Sequence, residues 1–200
     1  VADSMGFTLN TFTHILEGYK VAEQMKAHGA GASTFADWWA YKFEVNEAIP
    51  YNAAILHKMG IVTAINSDDA EMGRRLNHEA AKVVKYGGVS QEDAWKMVTL
   101  NPAILLHLDD RMGSIKEGKD ADIVIWSANP LSVQAKVEQT FVDGILLYDM
   151  NRSVLLHDRD QTERNRIMQL MLAEKSKGAA TRKPFKKMNP HYHCDTVGEH

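Results

Sequence analysis

Between residues 7 and 86 the chain alternates, three times over, a short β-branched or apolar run with an amphipathic run of helical period. Successive strands separated by helices pair in parallel, so this order predicts βα units and an α/β fold built on a parallel sheet. The first strand is FTLNTFTH (7–14), with His14 at its end. GYKVAEQMKAHG then sets Val21, Ala22, Met25 and Ala27 on one helical stripe that stops at Gly29. AGASTF (30–35) reads as the second strand, and ADWWAYKFEVNEAIP (36–50) as a long loop. YNAAILHKM (51–59) is a helix stopped by Gly60, and IVTAIN (61–66) a buried strand that runs into Ser67-Asp68-Asp69. A third helix covers 73–86 before Gly87-Gly88, and Ser90 caps a further one, with Glu92 and Asp93 in its first turn.

From residue 112 the texture changes. MGSIKEGKDADIVIWSANP and VEQTFVDGILLYD are short strands broken by Gly, Asp and Pro turns, a small β-structure appended to the α/β body. A charged helix is expected over 158–176, followed by a basic and then His-rich tail. The expected division is 1–110 for the α/β part, 111–150 for the small β-domain and 151–200 for the C-terminal helix and tail. The opening VADSMGFTLNTF has the look of a helix end stopped by Gly6, as if cut inside a larger protein. A net charge of −3 argues against nucleic acid or an anionic membrane as the main partner. No apolar stretch is long enough to span a bilayer. The single cysteine, Cys194, excludes an internal disulfide.

His14 and Asp68 stand at the carboxyl ends of predicted parallel strands, the ends that form the active-site mouth of a βα-barrel. One strand lies between theirs, so both are able to face one site. An imidazole and a carboxylate are ordinary ligands of a catalytic zinc, and a carboxylate beside the attacking water can take its proton. The same residues admit plainer roles. A histidine at a strand end is commonly structural, and Ser67-Asp68-Asp69 suits the N-cap of the next helix.

Five segments carry a family resemblance: FTHILEGYKVAEQM, STFADWWAYKFE, INSDDAEMGRRLNHEAAKVVKYGG, TLNPAILLHLDDRMGSIKEGKDADIVIWSANP and TFVDGILLYD. Over about 1–150 the chain resembles the C-terminal half of the amidohydrolase superfamily, in its imidazolonepropionase-like branch. The resemblance implies strands six to eight of a metal-dependent (β/α)8 TIM barrel, then part of a small β-sandwich built from both termini. It makes Asp68 the last metal ligand and His14 the sixth-strand histidine, which binds a second metal in binuclear members and lies close to the site in mononuclear ones. It implies zinc, as one or two divalent ions, and hydrolysis of a C–N bond in a cyclic amide, amidine or dipeptide-like substrate. GSIKEGKDADIVIW matches the exit from the barrel, where Asp120 and Asp122 serve turns. The family's first-strand His-x-His, fourth-strand lysine and fifth-strand histidine have no counterpart here. The remaining ligands are therefore expected from an upstream segment or a separate chain. Family members are often exported, which is all that bears on compartment, and a homo-oligomer is compatible with the reading.

The loop after the second strand offers Trp38, Trp39, Tyr41 and Lys42 to a small-molecule substrate, with Asp37 and Glu44 beside them. Aromatic packing and a surface ion pair at Lys42 are the plainer reading. Glu17, Tyr19 and Lys20 suit either the mouth or a helix start. Arg74 and Arg75 suit an anionic substrate group or, more simply, a solvated face. His28, His57, His78 and His107 read as packing or surface residues. His191, His193 and Cys194 are within metal-ligand reach of one another in the tail, but the spacing fits no zinc module. Against the hydrolase stands a rival of another class, a scaffold that kept the fold and lost the chemistry.

Overall fold

The computed structural model describes residues 1–36 and 38–182, which divide into two units after residue 153. Asp37 and the tail residues His191, His193 and Cys194 lie outside the described residues. The first unit opens with α1 (Ala2–Met5), closed by Gly6 in the left-handed region at φ 77°. Three strands, β1 (Thr11–Phe12), β2 (Gly31–Thr34) and β3 (Thr63–Ile65), then form a parallel sheet in the order β1-β2-β3. Phe12 pairs with Ala32, and Thr34 with Ile65. Helices α2 (Ala22–His28) and α3 (Asn52–Lys58) make the crossovers. After β3 come α4 (Leu76–Gly87), α5 (Gln91–Lys96) and α6 (Leu100–Leu105).

The alternation of the sequence is thus realised, with shorter strands than the composition suggested. FTLNTFTH yields only Thr11–Phe12 as strand. Upstream of that pair Asn10 O still accepts the Gly31 N–H (2.8 Å), but side chains do the rest: the Leu9 N–H donates to His28 Nε2 (2.8 Å), and Asn10 Nδ2 donates to Leu105 O (2.7 Å). On α2 the buried stripe is Ala22 and Met25 alone, while Val21 and Ala27 face outward. The expected caps hold. Gly29 and Gly88 are left-handed, and Ser90 Oγ accepts the Asp93 N–H at 3.0 Å.

Two apolar clusters seat the helices on the sheet. Ala22 and Met25 of α2 meet Ala32, Leu56 and Ile61. Ala53, Ala54, Val83, Ala94 and Met97 close over Ile65 and Ala36. Small residues dominate, so helices and strands approach closely; full burial of a side chain such as Leu56 contributes about 2 kcal/mol. The Thr-Leu-Asn-Pro-Ala segment completes the layer: Asn101 Nδ2 donates to Thr63 O (2.8 Å), and the Ile65 N–H to Met97 O (2.9 Å).

The small β-structure is an antiparallel meander of β4 (Ile123–Trp126), β5 (Val137–Val142) and β6 (Ile145–Asp149). Asp143-Gly144 links β5 to β6 with both residues at positive φ, the two-residue turn whose twist matches antiparallel strands. Asp122 fixes that turn by accepting the Asp143 N–H (3.0 Å), and Arg111 pairs with Asp120 (2.8 Å). Helix α7 runs over Met150–Ser176, eight residues earlier than the charge pattern indicated, because Asp149 ends β6 and accepts the Arg152 N–H at 2.9 Å. Within the second unit its apolar residues, Ile167 and Leu170 among them, are exposed. Among the described residues no helix is long and apolar enough to cross a membrane.

Candidate active site

The carboxyl ends of β1 and β3 emerge on either side of β2. His14 follows β1 and Asp68 follows β3, and both are exposed. They share a second property. His14 has φ 58° and Asp68 φ 51°, two of the five non-glycine residues at positive φ among the described residues. That conformation costs an ordinary L-residue about 1–2 kcal/mol and persists only where the surroundings impose it. Ala40, in the loop after β2, is a third at φ 53°.

What imposes it is visible on the β1 side. The Ile15 N–H donates to Ser33 O (3.1 Å), and Ile15 O accepts from Asn52 Nδ2 (2.8 Å), so the two peptides flanking Ile15, the residue after His14, are both held. Asn52 is 1% exposed and also donates to Thr34 Oγ1 (2.9 Å) while accepting the Tyr19 N–H (2.8 Å). This asparagine was not among the candidates drawn from sequence. Its signal was a polar residue on an otherwise apolar face of YNAAIL.

On the β3 side the capping question is settled. Asp69 Oδ1 accepts the N–H groups of Glu71 and Met72, both at 2.8 Å. Asp69 therefore does the local work that a carboxylate after a strand often does, and the carboxylate of Asp68 is not the cap. Ser67 Oγ donates to Asp69 O (3.1 Å), tightening the same turn.

A run of rings joins the two sides. His14 lies 5.0 Å from Phe35, Phe35 lies 5.6 Å from Trp38, and Trp38 lies 5.1 Å from Tyr41, measured between ring centroids. Trp38 Nε1 donates to Ser67 O at 3.1 Å. Trp39 turns the other way, edge-on to Tyr86 at 5.7 Å, with its Nε1 buried and lacking a hydrogen-bond partner. Tyr41 is half exposed, Lys42 pairs with Glu44 at 2.6 Å, and Phe43 is almost wholly exposed. Lys20 pairs with both Glu17 and Glu47, and Tyr19 donates to Glu47 O (2.9 Å). Tyr19 and Lys20, just ahead of α2, thereby staple Glu47 of the loop to that turn. Arg74 pairs with Glu71 at 3.4 Å on an open surface.

His28 and His57 behave as packing or surface groups. His28 contacts Asp3 Oδ1 (2.5 Å) through Nδ1, and His57 lies 3.8 Å from Asp93. Asp93 itself is held below the usual carboxylate range, first by the Ser90 hydroxyl and then by Lys96. Among the described residues no three His, Cys, Asp or Glu side chains come together as a cation site. The donor chemistry of His14 and Asp68 fits two positions of a zinc ligand set and leaves the others to be supplied.

Comparison with known proteins bears on the whole arrangement. Residues 46–147 match the amidohydrolase family. Over 148 residues, 72% of this chain and 15% of the relative, the sequence is 32% identical to amidohydrolase tasK of Hapsidospora irregularis. It is 27% identical to the imidazolonepropionase of Thermoplasma volcanium over 159 residues, 76% of this chain and 39% of that protein. The fold superposes on a solved amidohydrolase from Thermotoga maritima with a TM-score of 0.68 and 31% identity, covering 74% of this chain and 39% of the other. The chain therefore spans well under half the length of each of these relatives.

Proposed function

Because the chain belongs to the amidohydrolase family, we propose that it is the C-terminal segment of a metal-dependent hydrolase acting on C–N bonds. The substrate class is a cyclic amide, an amidine or a dipeptide-like molecule. In this reading β1, β2 and β3 are the sixth, seventh and eighth strands of a (β/α)8 barrel, and β4–β6 contribute part of a small composite β-sandwich. One observation carries the reading. Two exposed, metal-competent side chains stand at the carboxyl end of one parallel sheet, each on a backbone at positive φ.

Amidohydrolases typically bind metal ions, and here His14 and Asp68 are the residues that would hold zinc, one ion or two. When bound, such an ion would supply the Lewis acidity that makes water nucleophilic near neutral pH and polarises a carbonyl. Asp68 accepts the proton of the attacking water at its carboxylate and passes it to the leaving nitrogen. An exposed carboxylate whose neighbour does the capping is free to make both moves. His14 serves as a ligand or steadies the developing oxyanion. Trp38 and Tyr41, with Lys42 beside them in its pair with Glu44, form the substrate-facing side of the loop after β2, whereas Trp39, packed edge-on against Tyr86, is withdrawn from the substrate-binding set. An upstream segment or a separate chain supplies the other ligands.

The test is the metal content and hydrolytic activity of the full-length protein beside its Asp68→Asn variant. Loss of both supports the hydrolase. Unchanged metal in the variant would favour a scaffold that keeps the fold without the chemistry.

A further inference from the structure

We propose that Trp38 is a positioning residue for Asp68, its indole N–H fixing the peptide plane from which the Asp68 side chain projects. The proposal rests on the reading of Asp68 as a metal ligand and extends it to how that ligand is held. The bond runs from Trp38 Nε1 to Ser67 O at 3.1 Å, across 29 residues of sequence. Ser67 O belongs to the peptide unit whose nitrogen is that of Asp68. Rotation about the next bond, φ of Asp68, is measured against this plane, and it stands at 51°. Holding the plane at this φ fixes the frame from which the Asp68 Cα–Cβ bond projects.

The flanking residues of the turn are secured by other means. The Asn66 N–H donates to Thr34 O (3.0 Å), and Asp69 caps the residues that follow. Between them, the carbonyl of Ser67 is held by the indole. The indole is itself held, since its ring packs on Phe35, which packs on His14. A disturbance at Trp38 thus reaches both proposed ligands, through a hydrogen bond on one side and ring contacts on the other. A partner that orients a ligand from outside the coordination shell typically changes metal affinity or activity by about 10- to 100-fold when removed. The ring is half-buried and meets Phe35 and Tyr41, so the N–H clamp and a ring contact with substrate are distinct roles.

Trp38→Phe keeps a ring against Phe35 and removes the N–H. In the full-length protein we expect zinc affinity and kcat to fall about tenfold, with KM within about twofold. In the metal-free protein, amide hydrogen exchange over 66–72 should quicken about fivefold. A rise in KM at unchanged kcat and unchanged zinc affinity would make Trp38 a substrate surface and overturn the clamp. Unchanged exchange over 66–72 would overturn it as well, whatever the metal does. Asp68→Asn separates the two readings. If that variant keeps its zinc while Trp38→Phe still quickens exchange, the ligand assignment fails and the clamp on the turn stands.

Discussion

The two ends of the parallel sheet use the same kinds of residue to opposite effect. At the amino ends of the strands, polar side chains are spent on the backbone. His28 accepts the Leu9 N–H and meets Asp3, Asn10 donates to Leu105 O, and Lys26 donates to Gly60 O at 3.0 Å. At the carboxyl ends, His14 and Asp68 are exposed, held at positive φ, and relieved of capping by Asp69. A histidine that satisfies a backbone N–H stabilises. One that the backbone holds in a costly conformation, side chain outward, is available for something else. Barrel enzymes keep stability at one rim and chemistry at the other, and the proposed function places this chain's carboxyl ends on the chemical side.

The comparison breaks most sharply at Asp68. Asn at this position should lower kcat of the full-length protein by about 1,000-fold, in the range of a lost proton acceptor, with stability to urea within about 0.5 kcal/mol of the parent. A loss of stability equal to that of a core variant would make Asp68 structural and erase the contrast. Gly87→Ala should do the reverse. Its Cβ would come 2.2 Å from Ala54 Cβ, at the far end of α4, and neither backbone can yield easily. The expected cost is about 2–3 kcal/mol in urea unfolding, with kcat per folded molecule unchanged.

The histidines sharpen the same point. His28→Ala leaves the Leu9 N–H without its acceptor and should destabilise by about 1–3 kcal/mol while sparing kcat. His14→Ala should change stability by less than about 1 kcal/mol and lower metal content or kcat. If both lose only stability, the rims do not differ.

The smallest effect is expected at Ser90→Ala, about 1 kcal/mol at neutral pH from the lost cap. Part of it depends on charge. The Ser90 hydroxyl is the chief cause that holds Asp93 below its ordinary value of 3.8. A carboxyl depressed on folding stabilises above its unfolded pKa, and that contribution disappears as pH falls through the folded value. The gap between parent and variant in urea midpoint should therefore narrow below about pH 4. A gap constant down to pH 2 would confine the serine's role to its bond with the Asp93 N–H.

Much of this could be read from the chain before any coordinates. Glycines at 29, 60 and 88 end their helices, and all three are left-handed. Ser90 caps as its position implies. The extent of β1 was not legible, because Asn10 and Leu9 resemble strand residues yet bond to Leu105 and His28, partners far along the chain. The start of α7 was missed for a local reason. Asp149 serves as the last residue of β6 and as the cap of the helix at once, and a pattern reading assigns it only one role.

The alternation of strand and helix, the stops and the choice of His14 and Asp68 as candidates all follow from residue type and spacing, which act over a few residues. Tertiary structure alone decided which of two adjacent aspartates caps and which is left outward. It also decided that one tryptophan N–H holds Ser67 while its neighbour's is buried without a partner. The reason is physical. A side chain's direction at a strand end depends on backbone dihedrals imposed by contacts some 20 to 40 residues away, such as Trp38 to Ser67 and Asn52 to Ile15. Local propensity carries no record of them.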